Sequence, residues 1–216
     1  MNQSAVFTAD ASPISAELPR ISKRATLSVA LWVFMLVAFA LFGLFMAAYI
    51  MRMTGPDWSQ LGMPWQLWLS SALLLAGSLS MQAATAAARA GSVTSSRQLL
   101  AAGGAFAFAF LLAQFWVWQV LLGMQVRTAG NPAGSFFYLL TAMHGLHVAG
   151  GLVCWLLAMR FSMRFTVGRE GVGEIAWRIA LCARYWHFLL LLWAVLFAAF
   201  GWLSPEFVRY ICGIQA

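Results

Sequence analysis

Three histidines are the side chains of this 216-residue sequence best suited to chemistry. His144 and His147 lie three apart in FFYLLTAMHGLHVAGGLVCWLLAM and share a face if that run is helical, and His187 in RYWHFLLLLW supplies a third imidazole. Such a set could ligate a metal, or two of its members a haem. It could equally serve as neutral hydrogen-bonding groups between helices. Gln82, Gln114 and Thr141 are then the candidate partners, and Gly145, Ala149, Gly150 and Gly151 offer a small surface for close approach, with Gly145 and Ala149 at small-x-x-x-small spacing. No Cys, Asp or Glu is spaced to complete a zinc site. Cys154, Cys182 and Cys212 are scattered without a C-x-x-C spacing and read as packing residues.

The elements that would position these groups follow from composition. With 62% hydrophobic and 9% charged residues the chain is not an ordinary soluble domain. Five apolar runs, 30–51, 66–88, 99–122, 136–159 and 183–203, each reach the roughly 20 residues that a membrane-crossing helix needs, which is too long for barrel strands. The expected fold is all-α: a polytopic bundle of five transmembrane helices. At about 1.5 Å per residue, His187 should stand some 7 to 12 Å along the membrane normal from the His144/His147 pair, which weighs against a shared metal. Asp10, Glu17, Asp57, Glu170, Glu174 and Glu206 all fall outside the runs, so the mid-membrane carboxylate usual in proton-coupled carriers is missing.

Charge gives an expected orientation. Arg20, Lys23, Arg24, Arg89, Arg97, Arg160, Arg164, Arg169, Arg178 and Arg184 flank one set of run ends, whereas Arg52, Arg127 and Arg209 flank the other. The positive-inside rule then puts the N-terminus in the cytoplasm and the C-terminus outside. The net charge of +7 is thereby assigned to topology and anionic headgroups, not to nucleic acid. Residues 1–26 form a polar tail without a signal-peptide core, so the first run reads as a retained anchor; 27–204 form the transmembrane domain and 205–216 a short external tail. RMTGPDWSQLGMPWQ is a breaker-rich connection whose Trp58, Trp65 and Trp68 suit an interfacial aromatic belt. Glu174 and Arg178, at i, i+4, predict a helical lead-in to the fifth span.

Four stretches, in order along the chain, resemble subunit III of the haem-copper respiratory oxidases, the cytochrome c and quinol oxidase subunit III family. FMAAYIMR looks like that family's A-Y-x-x-R ending, SMQAATAAARAG like its T-M-Q-x-A…R-x-G stretch, and LLTAMHGLHVAGG like its L-T-G-x-H-G-x-H-V-x-x-G signature. RYWHFLLLLWAVLF is similar to its Y-W-H-F-x-D-x-x-W…LF helix. The resemblance, to the shorter five-helix form, implies an accessory subunit that carries no haem, copper or other metal. Such a subunit packs against the catalytic subunit I, which houses the haem and copper, and binds membrane phospholipids. It would sit in a bacterial inner membrane and sustain proton uptake and prolonged turnover. His144, Gly145, His147, Gly151, Gln82, Gln114, Tyr185, Trp186, His187 and Trp193 would then be helix-packing, lipid or subunit contacts. Ala38, Val117 and Leu190 stand where the family commonly has acids, which marks a divergent member and leaves nitric oxide reductase as an alternative parent complex. A b-type membrane cytochrome and a small permease are the alternatives from other classes.

Overall fold

The computed structural model describes residues 23–59, 61–124, 131–164 and 169–212. The polar tail through residue 22 and Arg127 lie outside them. Among the described residues the regular structure is all helical, without strands, in the order α1 (Lys23–Arg52), α2 (Gln66–Arg89), α3 (Val93–Gly123), α4 (Pro132–Arg164), α5 (Arg169–Trp202) and α6 (Pro205–Cys212). The first five are long and apolar enough to cross a membrane.

Each long helix buries one stripe that repeats every three or four residues. On α2 it runs through Leu67, Ser70, Leu74, Gly77, Met81, Ala84 and Ala88; on α3 through Leu100, Gly103, Ala107, Phe110, Gln114, Val117 and Leu121. Small residues let these two helices approach most closely: a Cβ added to Gly77 would stand 3.4 Å from the Gly103 carbonyl oxygen. The turn between them follows from one glycine. Gly91 adopts φ +81°, its N–H donates to Ala88 O (3.1 Å), and Ser92 N–H reaches Ala87 O (3.0 Å), the paired bonds of a Schellman cap. α2, α3, α4 and α5 form a closed ring in which each packs on the next, and α1 lies along the seam of α4 and α5.

Polar groups clasp both ends. At the basic end, Glu174 bridges Arg178, one turn away, at 2.9 Å and Arg24 on α1 at 2.8 Å, while Arg97 on α3 donates to the Ser162 hydroxyl and carbonyl on α4. The predicted lead-in is therefore one continuous helix with the fifth span. At the other end, Arg52 pairs with Asp57 at 2.5 Å, and Asn131 joins Ser59 of the α1–α2 connection. Within the expected C-terminal tail, residues 205–212 form the helix α6. Pro205 opens it, the Ser204 hydroxyl accepts from Phe207 N–H (3.2 Å), and Val208 is buried.

Candidate functional site

His144 shares the inward face of α4 with Phe137, Thr141, Val148 and Gly151, and it is fully buried. Its ring is enclosed by Phe42 of α1, Phe110 of α3 and Trp193 of α5, at centroid distances of 6.4, 5.6 and 5.2 Å. Neither ring nitrogen has a hydrogen-bond partner among the described residues. The expected inter-helix bond from this imidazole is absent among the described residues, and the Gln114 Oε1 atom is left without a partner as well. Gln114 donates to Ser70 Oγ (2.9 Å), and Thr141 accepts from Trp118 Nε1 (3.1 Å) while donating to Phe137 O (2.7 Å). Aromatic edges and faces wall the ring instead.

His147 turns toward α1, between Phe34 (5.9 Å) and Phe42 (5.4 Å). Its Nδ1 donates to Met143 O at 2.8 Å, inside its own helix, because a carbonyl can only accept. The inter-helix bond at this residue runs through the backbone: Tyr185 on α5 donates its hydroxyl to His147 O at 3.0 Å. Close approach is served by Gly151, where a Cβ would stand 3.0 Å from Tyr185 Cε1, and not by Gly145, whose Cβ would meet only Leu111 at 3.8 Å. Small-residue spacing alone named the less crowded of the two.

The histidine that bonds across helices is His187. It lies exposed where α5 meets α2, with Nδ1 2.5 Å from Ser78 Oγ and Nε2 3.1 Å from Gln82 Oε1. An amide oxygen only accepts, so Nε2 carries the proton and Nδ1 receives the Ser78 hydroxyl hydrogen. Sequence reasoning missed Ser78, although its i, i+4 spacing to Gln82 puts both on one face of α2. In the α5 core, Trp186, next to His187, and Trp193, six residues further on, are both buried, and Trp193 Nε1 donates to Ser71 Oγ at 2.8 Å. A second tryptophan not singled out from sequence, Trp155 on α4, donates to Leu100 O of α3 at 2.7 Å.

These geometries do not fit a ligand set. The three imidazoles face the bundle core, α1 and the outer α2/α5 surface respectively. His144 is level with Trp193, which is six residues, about 9 Å, along α5 from His187. Both nitrogens of His187 are engaged, so a bis-histidine haem does not fit, and among the described residues no three His, Cys, Asp or Glu side chains converge. Ala38 and Val117 are buried and Leu190 half-buried, so an acid at either of the first two positions would need an internal partner. Cys182 is buried, but Cys154 is exposed and lines a groove of about 450 Å³ between α1, α4 and α5 with Phe34, Leu157, Arg178 and Tyr185. A second groove, of about 650 Å³ between α3 and α4, has Arg97 at its basic end and Trp155 in its wall.

No protein-family model matches the chain. Curated proteins do. The chain is 29% identical to a probable cytochrome c oxidase subunit 3 of Mycobacterium tuberculosis over 58% of its own length and 60% of that protein. It is 29% identical to cytochrome c oxidase subunit 3 of Synechocystis over 72% and 66% of the respective chains, and 32% identical to that of Pylaiella littoralis over 64% and 49%. The match thus spans about 60% of the mycobacterial relative's length.

Proposed function

We propose that this chain, a divergent member of the cytochrome c oxidase subunit III family, is an accessory, non-redox subunit of a haem-copper respiratory oxidase. It stabilises catalytic subunit I and holds phospholipid, while haem and copper reside in that partner. The observation that carries this reading is the use to which the signature residues are put. His187 ties α5 to α2, the His147 backbone ties α4 to α5, and His144 and Trp193 fill the core between them, so the motifs resembling subunit III serve packing. The two arginine-ended apolar grooves have the chemistry of acyl-chain sites with a headgroup contact. A nitric oxide reductase as the parent complex has no observation in its favour, since the relatives named above are oxidase subunits.

Purification of the tagged full chain from its host membrane in mild detergent tests the reading. A haem-copper catalytic subunit should copurify, whereas the chain isolated by itself should show no Soret band. A catalytic subunit that never copurifies refutes the assignment.

A further inference from the structure

The A-Y-x-x-R stretch that ends α1 takes no part in the packing of the histidines. Its tyrosine and its arginine both engage the connection that follows: Arg52 pairs with Asp57, and the Tyr49 ring meets Trp58 edge-on at a centroid distance of 5.2 Å. Between this connection and the bundle lies a cavity walled by Tyr49, by Trp58 and residues 61–64 of the connection, and by Leu121, Ala133 and Phe200 of the other helices. The centre of a water molecule has about 20 Å³ in which to move there, and about 10–15 Å³ is enough to hold one. No larger ligand fits.

A purely apolar cavity of this size would stay dry, but polar groups without partners stand in this wall. Tyr49 is 4% exposed, and its hydroxyl bonds to none of the described residues. Trp58 Nε1 is shielded and has no partner among the described residues either. The main chain of Leu61, Gly62 and Met63 belongs to no helix, and none of its N–H or C=O groups enters a hydrogen bond among the described residues.

We propose that the cavity is a binding site for one ordered water molecule, which fastens the α1–α2 connection to the end of α1. The water accepts from Trp58 Nε1 and from the Tyr49 hydroxyl, and it donates to main-chain carbonyls of the 61–63 segment. Internal waters make about three such bonds, so the groups in this wall suffice. The A-Y-x-x-R stretch thereby closes one end of the bundle, through a hydration ligand at Tyr49 and an ion pair at Arg52.

The test images the full chain, with whatever subunits copurify, in lipid nanodiscs by electron cryomicroscopy at a resolution that shows ordered waters elsewhere in the assembly. A peak about 2.8 Å from Tyr49 Oη is expected inside the cavity. Tyr49→Phe, which keeps the ring and removes the hydroxyl, should erase the peak and speed amide hydrogen exchange at Leu61, Gly62 and Met63 about fivefold or more. Ala133→Val, which fills the cavity and leaves both donors in place, should do the same. Because the two variants expel one and the same molecule, their combination should exchange no faster than either alone. A map that resolves other internal waters but shows no peak here would overturn the proposal, and so would a peak that survives in Tyr49→Phe. Exchange left unchanged in both variants, or accelerated multiplicatively when they are combined, would equally overturn it.

Discussion

Gly104 on α3 lies directly beneath the indole of Trp155 on α4. A Cβ at position 104 would stand 2.2 Å from Cε2 and Cζ2 of that ring, and the ring is also held by its Nε1–H bond to Leu100 O at 2.7 Å. Alanine at 104 therefore forces the indole outward and breaks that bond. Overpacking of this kind costs about 1–3 kcal/mol. The lost inter-helix hydrogen bond adds about 1 kcal/mol, and the better helix propensity of alanine returns about 1 kcal/mol. Gly104→Ala should thus destabilise the bundle by about 1–3 kcal/mol. In a Trp155→Leu background the clash is gone and the same change should be neutral or stabilising, which makes the coupling at least about 1 kcal/mol. Unfolding by graded SDS in mixed micelles, followed by far-ultraviolet circular dichroism, measures all four corners of this cycle. A Gly104→Ala protein as stable as its parent would refute the packing argument, and so would additivity within about 0.5 kcal/mol.

The same assay separates the histidines. His187→Leu should lose about 1 kcal/mol because it strands buried Ser78 and the Gln82 amide, whereas His147→Leu, whose imidazole bonds only within its own helix, should lose less than half as much; equal losses would count against the assigned partners. For His144→Leu, relief of an unpaired buried polar group, about 1–3 kcal/mol, outweighs lost aromatic contacts of about 0.5–1.5 kcal/mol, so stability should hold or rise; a clear drop would show that the imidazole is satisfied. At the Arg52–Asp57 clasp, the hydrogen bond from Arg52 holds the Asp57 carboxyl below its ordinary value of 3.8. The depressed group supports the folded state above that value and ceases to do so as pH falls through the lowered one. Asp57→Asn should therefore lower stability slightly at neutral pH, converge with the parent once both carboxyl states are protonated, and so flatten the acid limb of a stability–pH profile below about pH 4; an unchanged acid limb would be the contrary result.

The five crossings were readable because each exceeds 20 apolar residues, a signal that needs no knowledge of neighbours. The extension of α5 at its basic end was equally local, set by Glu174 and Arg178 one turn apart. What sequence did not disclose were pairings across the ring. The bond from Ser78 to His187 joins residues 109 apart, and nothing near either position says that α2 and α5 are adjacent. Gly104 looked no different from Gly145, since crowding depends on an indole 51 positions away. His144 was expected to bond because a polar group in the membrane usually does, yet Phe42, Phe110 and Trp193 arrive from three other helices to surround it. The helix α6 was passed over because eight residues are too few to register as a span, although Ser204 and Pro205 form a recognisable start signal.

The seating of α1 bears on how the bundle is made. Its main neighbours are α4 and α5, which are synthesised well after it, so α1 must wait in the bilayer while more than a hundred further residues are added. A solitary crossing of that duration is tolerable only for a segment content with lipid on every side. α1 is the most apolar of the five and commits just a few large rings, Phe42 and Tyr49 among them, to its late-arriving neighbours. Its greasiness is thus a requirement of biogenesis as much as of the finished assembly.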